Sequence, residues 1–274
     1  MKMLELLNRS NLLSAHRGAR AFYAENTLKA LEMSVGHCDF MEVDVQLSRD
    51  KVALIMHDAT LERTTNVKAL EQFRLRAPYR VCDFTYEELC TLDYGSWFYE
   101  ADPFHQIAQK KVKVPEANAR YEPLLTLSEL LRFIAEKQLF INIEIKDIHE
   151  DFEDEEVVEI VLEEIERWHV ENLVVISSFR AAYLPLCKRK MPTLPTALLV
   201  ARKHPHAKID ALIEYLKTLK VDGYNLSDGL VESEMIHRLR EEGFFVNVYT
   251  VNNKLRQKEL FAMGINGVFS DFCG

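Results

Sequence analysis

Two short stretches carry acids where apolar residues are expected. In Phe40-Met41-Glu42-Val43-Asp44-Val45 and Ile141-Asn142-Ile143-Glu144-Ile145-Lys146, ionisable groups interrupt β-branched runs. Successive strand residues point to opposite faces, so Glu42 aligns with Asp44, and Asn142 with Glu144 and Lys146. A strand buried on both sides is nearly all apolar, and a charge within it is costly without a partner. Three converging carboxylates repel one another unless something neutralises them. One hard divalent cation, Mg²⁺ or Ca²⁺, with water and substrate oxygens completing its shell, answers that need. The alternative, from the residues alone, is a buried salt-bridge cluster drawing on Lys146 and Arg17.

Two histidines end apolar runs, His16 in Ser14-Ala15-His16-Arg17-Gly18 and His57 in Met56-His57-Asp58. A lone histidine in such a place is more often structural. A pair beside carboxylates can move protons near neutral pH, which makes both candidates for acid and base. Arg17 offers a planar fork for phosphate oxygens, Lys146 adds a point charge, and Gly18 permits close backbone approach. The remaining histidines lack such company, and His204-Pro205-His206 reads as surface loop.

The elements that would position these residues follow a βα rhythm. Strands are expected near Leu12–His16, Asp39–Val45, Leu139–Lys146, Leu173–Ser177, Thr196–Val200, Asp222–Leu226, Phe245–Thr250 and Gly267–Ser270. Helices are expected at Thr27–Val35, Leu127–Glu136, Glu155–His169, Arg180–Arg189, Lys208–Leu219, Glu232–Glu241 and Asn253–Met263. Eight strands in this order predict a closed (β/α)8 TIM barrel, with the acids at the C-terminal strand ends where barrel active sites lie. A further strand, Val52–Met56, follows too closely for a parallel crossover and reads as an antiparallel hairpin arm. That hairpin folds His57 back to the level of Val43 and Asp44. Residues 59–121 lose the rhythm, are rich in aromatics, and read as an insertion capping the mouth of a single barrel domain spanning 1–274. The acidic run Asp147–Glu166 reads as the entry and solvated face of a helix.

Bulk properties narrow the function classes. The chain has 274 residues, 48% of them hydrophobic, and a formal charge of −9, which disfavours nucleic acid or an anionic membrane as partner. No apolar run is long enough for a stable membrane anchor, and Met1–Ser14 does not read as a signal peptide. Cys38, Cys82, Cys90, Cys187 and Cys273 are odd in number and widely spaced, which points to a reducing, cytoplasmic setting. Nothing in the sequence bears on oligomeric state.

The set His16-Arg17-Gly18, Glu25-Asn26-Thr27, Glu42-x-Asp44, His57-Asp58, Leu61-x-Arg63-Thr64-Thr65, Leu92-Asp93-Tyr94-Gly95-Ser96-Trp97-Phe98, Leu125-Thr126-Leu127, Glu144-Ile145-Lys146, Ser177-Ser178-Phe179, Tyr249-Thr250-Val251-Asn252 and Gly267-Val268-Phe269-Ser270-Asp271 resembles the glycerophosphodiester phosphodiesterase family in nearly the whole chain. The resemblance implies Glu42, Asp44 and Glu144 as metal ligands, His16 and His57 as acid and base, and Arg17 and Lys146 on the phosphate. It implies a small glycerophosphodiester substrate, attacked by its own glycerol 2-hydroxyl to give a cyclic phosphate that water opens to glycerol 3-phosphate. Tyr249 stands where the family commonly has tryptophan, which implies an aromatic wall for the substrate. Ala24 replaces the proline usual before Glu-Asn-Thr. Two other readings share the barrel: phospholipase D-like cleavage of lysophospholipids or sphingomyelin, and a non-catalytic binding protein.

Overall fold

The computed structural model describes residues 1–274. Eight parallel strands, β1 (Leu12–His16), β2 (Phe40–Leu47), β4 (Ile141–Ile145), β5 (Val174–Ser178), β6 (Thr196–Val200), β7 (Gly223–Ser227), β8 (Phe245–Tyr249) and β9 (Gly267–Ser270), close into a barrel through the β1–β2 and β1–β9 pairings. A ninth strand, β3 (Ala53–Ile55), pairs antiparallel with β2. β2 runs to Leu47, two residues past its expected end, because Leu47 pairs with Ala53 across the hairpin. The expected architecture is the observed one.

Alternation assigns the two faces of each strand. Met41, Val43 and Val45 of β2 and Ile141, Ile143 and Ile145 of β4 join the large core between barrel and helices. Their in-between neighbours, Glu42, Asp44, Asn142 and Glu144, turn into the barrel. The covering helices are α5 (Leu127–Lys137), α6 (Asp154–Arg167), α7 (Tyr183–Lys190), α8 (Ile209–Leu219), α9 (Ser233–Glu241) and α10 (Lys254–Ala262). The Thr126 hydroxyl accepts from the Glu129 N–H while the Glu129 carboxylate accepts from the Thr126 N–H, a capping box that fixes the start of α5. The acidic run feeds the first turn of α6, with Asp154, Glu155 and Glu156 at the positive end of its dipole.

Two features lie outside the expected elements. Met3–Leu7 forms α1, whose Met3, Leu6 and Leu7 pack with Leu12, Phe40, Phe245 and Phe269 in a separate apolar cluster. The spacing i, i+3, i+4 signals that turn of helix in the sequence. Between β3 and α5 the chain makes only short helical turns, the longest being α4 (Ser96–Ala101), after α2 (Leu28–Glu32) earlier in the chain and α3 (Tyr86–Leu89) within the segment. These turns enclose their own core, built from Leu61, Val67, Phe73, Val81, Phe84 and Leu92 among others, with Leu54 and Met56 of the hairpin arm joining it.

Candidate active site

Register brings the acids together. Asp44 lies opposite Glu144, and Glu42 opposite Asn142, across the β2–β4 pairing. Glu42, Asp44 and Glu144 are all buried, and one carboxylate oxygen from each lies within 4.8 Å of the other two. Two cations reach them. Lys146 Nζ lies 2.6 Å from Glu144 Oε1 and 3.3 Å from Asp44 Oδ1, and Arg17 Nε lies 3.1 Å from Asp44 Oδ2. The backbone N–H of Arg17 donates to Glu42 Oε2 at 2.9 Å, and Asn26 Nδ2 donates to Asp44 Oδ2 at 3.0 Å.

Charge is not balanced at these acids. Burial and then the charges of Asp44 and Glu144 push the Glu42 carboxyl well above its ordinary range. Burial and then Asp44 also push Glu144 up. Burial works against the Asp44 anion too, but Arg17 and Lys146 outweigh it and hold that carboxyl low. Glu144 Oε1 is fully buried and makes no properly angled hydrogen bond, despite its closeness to Lys146. Hard oxygen donors that outnumber the cations reaching them fit a divalent cation. Arg17 and Lys146 also join the cluster, so the salt-bridge alternative describes part of the same geometry.

Both histidines are backed by carboxylates. His16 Nδ1 is 2.7 Å from Asp271 Oδ1, just past the end of β9, and His57 Nδ1 is 2.7 Å from Asp58 Oδ1. Each imidazole therefore keeps Nε2 for other work. His16 Nε2 stands 4.0 Å from Glu42 Oε2. Burial lowers the His16 pKa, opposed by the Asp271 hydrogen bond. The hairpin places Met56 beside Asp44 (Met56 N–H to Asp44 O, 2.8 Å), and Gln46 Nε2 donates to the carbonyls of both Met56 and Asp58, clamping the turn that carries His57.

A pocket opens here, lined by His16, Glu42 and Glu144 together with the rings of Phe179, Tyr249 and Phe269. Tyr249 is among these lining residues, and its hydroxyl donates to the Val200 carbonyl at 2.6 Å. His57 is not among those lining residues and lines a second recess with Glu25, Asn26 and Thr64. Gly18 adopts φ +81°, and the close approach it permits is to α2: an added Cβ would meet the Ala30 carbonyl carbon at 2.7 Å. His204 is tied to the Tyr224 hydroxyl and the Leu230 carbonyl, a satisfied structural histidine.

Sequence patterning assigned no role to Glu25, Arg20, Asp58, Arg63 or Asp271, which surround these groups. They sit in loops and at strand ends, where no periodicity marks them. The signal available was an acid directly after an expected strand, Asp271, and an acid directly after a histidine, Asp58.

Comparison with known proteins adds the following. Residues 16–274 match the model of the glycerophosphoryl diester phosphodiesterase family. A glycerophosphodiester phosphodiesterase of Bacillus altitudinis is 32% identical, over 94% of this chain and 93% of that protein. One from Bacillus subtilis is 30% identical, over 97% of this chain and 87% of that protein. In fold, the chain is similar to a putative glycerophosphoryl diester phosphodiesterase of Silicibacter pomeroyi, with TM-score 0.83, 22% identity and coverage of 99% and 94%. It is also similar to a phosphodiesterase of Oleispira antarctica in complex with the product sn-glycerol-3-phosphate, with TM-score 0.77, 24% identity and coverage of 96% and 94%.

Proposed function

We propose, because this chain belongs to the glycerophosphoryl diester phosphodiesterase family, that it hydrolyses glycerophosphodiesters to glycerol 3-phosphate and an alcohol. The observation that carries this reading is the surplus of buried carboxylates at the barrel mouth beside two carboxylate-backed imidazoles. Glu42, Asp44 and Glu144 would hold one divalent cation, Mg²⁺ or Ca²⁺. Bound there, the ion would supply positive charge to the phosphate oxygens. Arg17 and Lys146 add their own positive charge toward the same oxygens. Phe179 and Tyr249 give the organic part of the substrate an apolar wall.

The reaction divides between the histidines. One takes the proton of the glycerol 2-hydroxyl as its oxygen bonds to phosphorus, and the other protonates the alcohol as its bond to phosphorus breaks. The roles then reverse, and water opens the cyclic phosphate to glycerol 3-phosphate. The nucleophile is tethered to the group it attacks, so little positioning entropy remains to be lost. The names of the Bacillus relatives and the product bound to the Oleispira protein support this substrate class.

We read residues 1–274 as one barrel domain, with 59–121 as an insertion over its mouth. No helix is long and apolar enough to cross a membrane. The five unpaired cysteines support a cytoplasmic setting, and the formal charge of −9 supports a small diester over nucleic acid.

The test is a substrate panel with metal supplied: glycerophosphocholine, glycerophosphoethanolamine, lysophosphatidylcholine and sphingomyelin. Glycerol 3-phosphate should appear from the first two, and replacing His16 or His57 by alanine should slow its release by about 10²-fold or more. Release of choline from the acylated substrates alone would assign the barrel to lipid cleavage instead.

A further inference from the structure

Glu25 is buried, its side chain 2% exposed, and it faces three guanidinium groups. Arg17 Nη1 donates to its Oε1 at 2.9 Å. Arg20 Nε donates to Oε2 at 2.8 Å. Arg63 spans both oxygens, with Nη2 to Oε1 at 2.6 Å and Nη1 to Oε2 at 2.9 Å. One arginine would satisfy a buried carboxylate, and three like charges crowded on one anion repel each other. The excess is explained by what the arginines hold on their other sides.

Arg20 Nη1 reaches Asp271 Oδ1 at 3.3 Å, the oxygen that bonds His16 Nδ1. Arg63 grips Asp58 through Nε to Oδ2 at 2.6 Å and Nη2 to Oδ1 at 3.1 Å, and that Oδ1 bonds His57 Nδ1. Two arms thus run from Glu25, one through Arg20 and Asp271 to His16, the other through Arg63 and Asp58 to His57. An aromatic ring from the segment between β3 and β4 lies against each arm: Phe104 at 5.3 Å from the Arg20 guanidinium carbon and Trp97 at 5.5 Å from that of Arg63.

We propose that Glu25 is the common positioning residue for both histidines, setting the orientation of each imidazole through its own arginine–aspartate arm. The loops bearing Glu25, Asp58 and Asp271 follow three different strands. Loops of this kind move independently unless tied, and a planar guanidinium bonded on two edges is a rigid tie. The kinetic part of this inference rests on the phosphodiesterase reading; the geometric part does not.

The test is ¹⁵N-histidine NMR on the metal-loaded full chain, with imidazole signals assigned through His16→Ala and His57→Ala. Arg20→Gln should shift the His16 signals and leave those of His57 in place. Arg63→Gln should do the reverse, and Glu25→Gln should shift both. If Glu25→Gln does not fold, the Arg20→Gln/Arg63→Gln double variant serves, both arginines being part-exposed. On glycerophosphocholine, Arg20→Gln and Arg63→Gln should each lower kcat by about 10- to 100-fold with KM within about threefold of wild type, since misplaced proton carriers slow chemistry more than binding. An arm substitution that leaves its own histidine unmoved, or shifts both equally, overturns the proposal. Shifts as expected in a protein that hydrolyses no diester would overturn the function and leave the positioning role standing.

Discussion

Glu25 and Glu42 are both buried glutamates at the barrel mouth, yet their surroundings are opposite in sign. Around Glu25, one carboxylate meets three guanidinium groups. Burial alone would raise its pKa, but Arg63, Arg17 and Arg20 hold the carboxyl far below the usual range. Around Glu42, three carboxylates share Arg17 and Lys146, and Glu42 is pushed well up. The difference separates a strut from a seat. A carboxylate with surplus cations is fixed in place by them, whereas carboxylates short of a cation make a place for one to enter.

The largest effect that could break this contrast is on turnover. Glu42→Gln should lower kcat on glycerophosphocholine by about 10³-fold, the loss of several kcal/mol of charge stabilisation. In chelator, the same variant should melt no lower than wild type, because it removes repulsion and no cation loses its main partner. A marked fall in its metal-free melting temperature would make Glu42 a strut after all.

Next comes Glu25→Gln, which leaves buried arginines without their anion. It should cost about 3–5 kcal/mol in urea unfolding, the range for breaking a buried pair from one side. A loss under about 1 kcal/mol, the scale of a surface ion pair, would remove the strut from the comparison.

The two glutamates should also differ in acid. A carboxyl held low in the fold stabilises it fully above its unfolded value, and that stability drains as pH falls through the folded value. For Glu25 the ordinary value is 4.5, so its contribution is intact at neutral pH and declines progressively below about pH 4.5. Urea midpoints of metal-free protein at neutral pH and in mild acid should show a smaller drop for Glu25→Gln than for wild type. Equal drops would mean that this carboxyl is not held low.

The smallest effect is expected at Tyr249, in the pocket lining. Tyr249→Phe keeps the ring and deletes the hydrogen bond to the Val200 carbonyl, at a cost of about 1 kcal/mol in stability. A larger fall in kcat/KM than this accounts for would show that the hydroxyl itself meets the substrate.

Much of the seat was legible in sequence because strands have a period of two. Glu42 with Asp44, and Asn142 with Glu144, announced a shared face, and barrel order put β2 beside β4. The short link Leu47 to Lys51 likewise announced the hairpin that brings His57 to Asp44. The strut was not legible. Glu25 and its arginines sit in loops whose torsions obey no period, with Arg17 at φ 56° and Asn26 at φ 58°. Those left-handed residues turn the chain so that the Arg17 N–H meets Glu42 while its side chain spans Glu25 and Asp44. Residues 59–121 were marked only by their aromatics and a lost βα rhythm, since turns of three to six residues are too short to show helical spacing.

The central claim is that the carboxylate seat holds a divalent cation on which diester hydrolysis depends. Its most direct test strips the protein with chelator and titrates Mg²⁺ or Ca²⁺ back, following bound ion by calorimetry and glycerol 3-phosphate release from glycerophosphocholine. The account predicts no turnover in chelator and a return of activity that tracks one ion bound per chain, both lost in Glu42→Gln. Undiminished activity in chelator would contradict it.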